Sequence, residues 1–203
     1  MDAQDCLRML REIRDVSFAT VDEDGLPHNR IIDVMIVEEN LLVFCTARGK
    51  EFYRQLTANP HVAVSGLNKK WQMIRLTGTV EKLPDRKKWI DRIFAENPSM
   101  NDVYPGEARY ILDPFAIKSG SIEFFDLGTS PIRRERFSFG DAGIRPGGFL
   151  ITERCIQCMT CKRGCPQQCI EEGTPFVIRQ EHCLHCGLCF ENCPVRAVVR
   201  RDE

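Results

Sequence analysis

Residues 155–166 read CIQCMTCKRGCP, and residues 183–194 read CLHCGLCFENCP. Both stretches have the spacing C-x2-C-x2-C-x3-C-P, and each element of the second lies 28 positions after its counterpart in the first. Eight thiols in this tandem arrangement are typical of ligands for two [4Fe–4S] clusters. The repeat therefore predicts a small α+β iron-sulfur domain at the C-terminal end of the chain.

The spacing also predicts how two clusters share the eight thiols. Three cysteines two residues apart wrap three corners of one cube, and the fourth, which precedes a proline, serves the other cluster. Gly187 in the second loop indicates a backbone position with positive φ or one that passes close to a cluster. We expect cluster I to take Cys155, Cys158, Cys161 and Cys193, and cluster II to take Cys183, Cys186, Cys189 and Cys165.

Zinc and disulfide bonds are the alternative interpretations of these cysteines. Zinc takes four ligands, commonly from two C-x2-C pairs, rather than three thiols in a row followed by Cys-Pro. A disulfide framework implies an oxidising compartment, whereas the N-terminus, MDAQD, lacks the basic and apolar regions of a signal peptide. The clusters are favoured, and the last 50 or so residues resemble the bacterial two-cluster ferredoxins.

One further cysteine departs from the repeat. Cys169 stands where the second half has Ala197. We expect it to be a small buried thiol beside the cluster rather than a ninth ligand.

The 203 residues allow one ordinary domain in addition to a small one. Basic and acidic residues nearly balance, at 28 against 29, so no nucleic-acid-binding patch is indicated. No apolar run approaches the roughly 20 residues that span a membrane. We expect a soluble cytoplasmic protein of a reducing, anaerobic cell.

The hydrophobic pattern before the repeat alternates between strand and helix periods. It predicts strands over 16–21, 30–37, 40–46, 61–67 and 71–83, and a last pair over 109–117 and 121–126 joined by a turn at 118–120. Helices are predicted over 3–14, 49–58 and 84–96. About six short strands with peripheral helices favour a mainly β (α+β) fold built on a small barrel, and no G-x-G-x-x-G follows a strand.

Composition divides the chain into three parts. Residues 1–126 form the barrel domain, 149–203 the cluster domain, and the Gly-, Pro- and Arg-rich stretch 127–148 a linker in which 136–139 can add an edge strand. Arg133, Arg134 and Arg136 in that stretch are interpreted as solvated linker charges, with contact to a phosphate or an acidic partner as the alternative.

Three short sequence segments of the barrel domain resemble those of a known family. FATVDEDGLPH at 18–28, FCTARGK at 44–50 and NP at 59–60 occur in an order that resembles the pyridoxamine 5'-phosphate oxidase-like split barrel, over roughly residues 5–126. The resemblance implies a homodimer that binds one FMN per subunit at the dimer interface. It places Arg30, Lys50 and Arg48 at the FMN phosphate and Ile31, Ile32, Cys45, Thr46 and Gln72 along the isoalloxazine ring.

Each of these positions also has an ordinary interpretation. Arg30 and Lys50 could be surface charges, Thr46 could cap the following helix, and Cys45 is expected to be a packed strand residue rather than a redox thiol. The oxidation of pyridoxamine phosphate that is best known in the family is not carried over, because the linker and cluster domain replace the family's substrate-binding C-terminal end.

FMN accepts two electrons as a hydride and can release them singly, whereas each cluster carries one. A chain with both cofactors is expected to be an FMN-dependent iron-sulfur oxidoreductase, which passes electrons between the clusters and FMN to reduce or oxidise a small organic substrate. The alternatives are an electron carrier that serves only a redox partner protein, and a flavin-free binding or sensor barrel fused to a ferredoxin. The sequence indicates no catalytic proton donor.

Overall fold

The computed structural model describes residues 1–201, which divide into two compact units. The first unit comprises Met1–Lys69, Met73–Phe124 and Arg136–Gly143; the second comprises Lys70–Gln72, Phe125–Glu135 and the residues from Ile144 onward. Positions 202 and 203 of the predicted cluster domain lie outside the described residues. The three-part division at 126 and 149 stays a prediction.

A single antiparallel sheet dominates the N-terminal part of the chain. Its strands run in the order β2-β1-β5-β6-β7-β4-β3, with β8 paired to β7, and they curl into a half-barrel, so the predicted split barrel with peripheral helices is confirmed. The elements are α1 (Ala3–Ile13), β1 (Asp15–Val21), β2 (Pro27–Asp33), β3 (Ile36–Glu38), β4 (Leu41–Ala47), α2 (Glu51–Ala58), β5 (His61–Leu67), β6 (Gln72–Lys82), α3 (Arg86–Glu96), α4 (Met100–Val103), a 3-10 turn (Gly106–Ile111), β7 (Leu112–Asp126) and β8 (Arg133–Phe139).

The first helix begins where its sequence supplies a cap. The backbone N–H of Asp5 donates to the Asp2 carboxylate at 2.8 Å, and the N–H of Asp2 donates to the Asp5 carboxylate at 3.0 Å. This reciprocal pair satisfies two N–H groups that the helix itself leaves free. The helix then buries Cys6, Leu7 and Leu10 against the barrel core.

Strand β4 is buried on both faces because the sheet separates two cores. Leu42 and Phe44 point into the barrel interior, where aromatic rings such as Phe18 pack, whereas Val43 and Ala47 point to the opposite face. Alternate residues of a strand lie on opposite sides of a sheet. Helix α3 covers the outer face with Ile90, Ile93 and Phe94, which explains why this helix has a strong apolar side.

Two details of the strand prediction are wrong. The predicted strand over 30–37 is two strands, β2 and β3, because the N–H of Val34 turns to the carbonyl of Arg14 and the N–H of Met35 pairs with Val43. The predicted turn at 118–120 does not form, since β7 continues through it. Gly120 lies close against the neighbouring backbone there: an added Cβ would stand 2.8 Å from the carbonyl oxygen of Thr77.

The second unit is built from short elements around cysteine loops. A small core of Phe149, Ile151, Ile170, Phe176 and Val198 supports those loops. Its elements are β9 (Phe149–Ile151), α5 (Thr160–Gly164), β10 (Ile170–Glu171), β11 (Val177–Ile178), a 3-10 turn (Gln180–His182), α6 (Leu188–Glu191) and β12 (Val198–Arg200). Strand β9 pairs with β12, and β10 pairs with β11.

Among residues 1–201, no helix has the length and apolar character needed to cross a membrane.

Candidate cofactor sites

The eight repeat cysteines line two separate cavities of the second unit. One cavity, cavity I, is lined by Cys155, Cys158, Cys161 and Cys193. A second, cavity II, is lined by Cys165, Cys183, Cys186 and Cys189. Each cavity thus takes three thiols from one half of the repeat and one from the other, which is the sharing that the spacing predicts.

The backbone around the cavities repeats as the sequence does. Gln157 and His185, 28 positions apart, both have φ of 57°, and Met159 and Gly187 have φ of 67° and 85°. Met159 and Gly187 are also the residues from which the short helices α5 and α6 start. Gly187 therefore has the positive φ that its residue type predicts, and an added Cβ would contact the Phe149 ring at 3.4 Å.

The donor sets fit clusters better than single ions. Across residues 1–201, no three His, Cys, Asp or Glu side chains converge closely enough to hold one metal ion. Instead, the four cysteines of each set line one cavity. This arrangement suits a [4Fe–4S] cube, which takes one thiolate on each of its four irons. Within residues 1–201, no disulfide bond links the eleven cysteines. The two quartets offer the thiolates that an iron-sulfur cluster takes.

Backbone and side-chain donors already point at several of these sulfurs. The N–H of His185 donates to Cys183 Sγ at 3.3 Å, and the N–H of Ala197 donates to Cys193 Sγ at 3.1 Å. Hydrogen bonding from Cys169 lowers the pKa of Cys183, although burial opposes this. A donor to a sulfur favours the thiolate, which is the form that binds iron.

Arg134 lies against the loop of the second cavity. The side chain is buried, its guanidinium lies 4.2 Å from the centre of the Phe125 ring, and it donates to the carbonyls of Cys183 at 3.1 Å and Leu184 at 3.4 Å. It is therefore a structural support of the ligand loop rather than a solvated linker charge.

Arg30 in the first unit is held in place by two buried polar side chains. Its guanidinium donates to Thr20 Oγ1 at 2.6 Å and to Gln55 Oε1 at 2.7 Å, and it lies 4.6 Å from the centre of the Phe52 ring. Burial lowers the pKa of Arg30, but a guanidinium stays charged in proteins. Its orientation is thus set by strand β1 and helix α2.

The sequence analysis missed Thr20 and Gln55. Both are almost fully buried, at 1% and 5% exposure, and they hydrogen-bond each other at 2.7 Å. The available signal was Gln55 itself, a polar residue between Phe52 and Leu56 on the apolar side of a helix, which calls for a buried partner.

Lys50 lies at the start of the helix that holds Arg30. It is the N-cap residue of α2, and its side chain makes no capping bond there. Arg30 contacts Phe52 and Gln55 of the same helix. Two basic residues are therefore associated with α2, whose N-terminus favours negative charge.

Thr46 is a buried residue of β4, four positions before the Lys50 cap, so it is not the helix cap. Ile31 is 65% exposed on β2, an outer strand of the sheet, whereas Ile32 packs against the barrel core.

Burial raises the pKa of Cys45 to about 12, which makes this thiol a poor redox group. Gln72 belongs to the second unit and donates to Asp126 at 3.0 Å.

Arg48, the remaining predicted phosphate ligand, turns to a buried carboxylate. It donates to the Tyr110 carbonyl at 2.9 Å and lies 3.3 Å from Asp113, whose side chain is fully buried. Lys82 Nζ lies 2.6 Å from Asp113, and Tyr53 donates to it at 3.0 Å. Burial favours the protonated carboxyl, but the hydrogen bonds from Lys82 and Tyr53 outweigh it and lower the pKa of Asp113.

Asp113→Asn is expected to lower the free energy of unfolding by about 3 kcal/mol at pH 7, because it leaves Lys82 and Arg48 beside a neutral group. The folded pKa of Asp113 lies below the unfolded value of about 3.9. The difference between wild type and variant is therefore complete above about pH 4 and shrinks as the pH falls through the lowered pKa. Urea unfolding of the wild type and the variant, at pH 7 and at lower pH, measures the loss of stability and its dependence on pH.

Glu51→Gln is the control for this experiment, since Glu51 and its partner Arg54 are each 70% exposed. An exposed pair of this kind contributes less than about 1 kcal/mol. Equal effects of the two substitutions at pH 7 would contradict the role assigned to Asp113.

Comparisons with known proteins agree with both halves of this description. Residues 3–103 match the family model of pyridoxamine 5'-phosphate oxidase, and residues 149–194 match that of a 4Fe-4S dicluster domain. Over 93 residues the chain is 31% identical to the dihydrophenazinedicarboxylate synthase of Pseudomonas chlororaphis. That match covers 44% of this chain and only 42% of the length of the relative.

Solved structures share the barrel. A nimc/nima family protein from Clostridium acetobutylicum is 26% identical with a TM-score of 0.57, covering 67% of this chain and 91% of its own. PhzG from Burkholderia lata, solved with tetrahydrophenazine-1-carboxylic acid, is 17% identical with a TM-score of 0.50, covering 69% of this chain and 86% of its own. The latter likeness shows the fold alone.

Proposed function

We propose, for a chain that joins a pyridoxamine 5'-phosphate oxidase-like split barrel to a 4Fe-4S dicluster domain, that it is an FMN-dependent iron-sulfur oxidoreductase. In this proposal the chain passes electrons between two [4Fe–4S] clusters and FMN and thereby reduces or oxidises a small organic substrate. Bound FMN supplies the exchange between two-electron and one-electron chemistry. The protein's own groups bind the cofactors and adjust their environment.

The cavities lined by complete cysteine sets are the observation that carries the proposal. Eight thiols held as two interlocked quartets in one small unit serve electron transfer, because each cluster carries one electron. The apolar core packs against five of these cysteines and buries Cys183, and the apolar shell around a cluster is a major influence on its potential.

The barrel contributes the second cofactor site. Arg30 offers a guanidinium fork, held by Thr20 and Gln55, to a phosphate, and Lys50 adds a second positive charge at the N-terminus of α2. Along β2, the exposed Ile31 offers an apolar surface and backbone groups to a flavin ring. Arg48 is the weakest member of the proposed set, since Asp113 already pairs with it.

We further propose a homodimer with one FMN per subunit between the two copies, as in the family that the barrel resembles, and a location in the reducing cytoplasm. Reduced thiols and clusters suit such a compartment. The electron partner is either a redox protein or the organic substrate itself.

Cofactor stoichiometry on anaerobically purified chain tests the proposal. We expect about eight irons, a similar amount of acid-labile sulfide and about one FMN per chain. Eight irons with no flavin, even after FMN is added, would contradict the oxidoreductase and leave a ferredoxin fused to a binding barrel. Both cofactors with transfer only to a protein partner, and no turnover of small acceptors, would favour an electron carrier.

A further inference from the structure

The two cluster cavities differ at one equivalent position. Cys169 lines the cavity of cluster II, and Ala197, which is 28 positions later, lines the cavity of cluster I. Both residues are buried, at 5% and 1% exposure. Gln168 and Arg196, immediately before them, share a φ of 51°. The preceding backbone therefore has the same conformation at both positions. The two cavities differ there in that one has a thiol side chain and the other a methyl group.

Cys169 is in contact with the ligands of one cluster only. Its Sγ lies 3.5 Å from Cys165 Sγ, and it also hydrogen-bonds with Cys183. Both partners belong to the quartet of cluster II. When Cys165 and Cys183 bind iron as thiolates they have no proton to give, so the S–H of Cys169 is the donor in either contact.

We propose that Cys169 is a positioning residue that raises the reduction potential of cluster II above that of cluster I by donating its S–H to the ligand sulfurs. Reduction adds one negative charge that spreads over the cluster and its thiolates, so a donor to those sulfurs stabilises the reduced form more than the oxidised form. In the half-reduced chain the electron then resides mainly on cluster II. The inference rests on the proposed presence of both clusters.

The expected size is about a tenfold shift in the distribution of one electron between the clusters, equivalent to 59 mV for a one-electron couple. Ala197 offers no such donor to cluster I. The effect of Cys169 therefore adds to the gap between the two potentials rather than moving both together.

Redox titration of the full, cluster-loaded chain, followed by electron paramagnetic resonance, measures the two midpoint potentials. Cys169→Ala is expected to lower the higher of the two potentials. The ratio in which one electron is distributed between the clusters should then fall about tenfold. Cys169→Ser keeps an O–H donor at the same position and is expected to retain most of the gap. Ala197→Cys is expected to raise the lower potential. The exchanged chain C169A/A197C carries the thiol beside cluster I and is expected to shift the electron further toward cluster I than either single variant.

Iron content is measured first in each variant. Eight irons with both potentials unchanged in Cys169→Ala, or with the higher potential raised, would overturn the inference while leaving the proposed function intact. Loss of cluster II from both Cys169→Ala and Cys169→Ser would make Cys169 a structural requirement, which also overturns it. A wild-type chain that binds no iron would refute the proposed function itself.

Discussion

Cys193→Ala is expected to remove the same cluster as Cys158→Ala, although the two cysteines lie in opposite halves of the repeat. Both line cavity I. Each single variant should fall from about eight irons per chain to about four, because a cluster that loses one thiolate is not retained. The double variant C158A/C193A should also keep about four, whereas C158A/C186A, with one ligand removed from each cavity, should keep almost none.

Iron and sulfide content after anaerobic reconstitution measures this result. Cys6→Ala is the control, since Cys6 is a fully buried thiol of α1 in the first unit and should leave all eight irons in place. If C158A/C193A lost clearly more iron than either single variant, each half of the repeat would be building its own cluster, and the interlocked assignment would be wrong. Cys158 and Cys193 are the better pair to replace, because the cysteines that line cavity I are the four of its own quartet.

Arg30→Ala combined with Lys50→Ala is expected to weaken FMN binding more than 100-fold. A charge-assisted hydrogen bond contributes about 1.5–3 kcal/mol, so the loss of two corresponds to at least about 3 kcal/mol. Of the two single variants, Arg30→Ala should have the larger effect, because Thr20 and Gln55 hold Arg30 in a fixed position while Lys50 is exposed. Titration of apoprotein with FMN, followed by flavin fluorescence, gives the dissociation constants.

Arg54→Ala is the matched control on the same helix. Arg54 is 70% exposed and pairs with Glu51, so its removal takes one positive charge from α2, as each single variant takes one charge from the proposed phosphate site, without removing a proposed phosphate ligand. Its FMN affinity should stay within about threefold of wild type. A double variant R30A/K50A that folds normally by circular dichroism and binds FMN as tightly as wild type would refute the phosphate site.

The corrected elements show where sequence patterns are limited. The strand prediction over 30–37 ran through Val34 and Met35 because both are apolar, but their backbone groups pair with two different segments. Glycine at 120 was interpreted as a turn, whereas it lies in a continuous strand where the neighbouring backbone leaves no room for a side chain. Both errors arise because a local pattern does not contain the position of a neighbouring strand.

The sequence by itself predicted the two cysteine quartets that line the cavities, and it determined the kind of fold. Cysteine spacing within a 12-residue loop limits which corners of a cube the thiols can reach, and the alternation of strand and helix periods predicts a barrel with peripheral helices. Only the tertiary structure decided the partners of isolated charges: Thr20 and Gln55 for Arg30, Asp113 for Arg48, and the cluster loop for Arg134. Such partners lie 10 to 65 positions apart in the chain, and sheet register and loop packing bring them together rather than any local spacing.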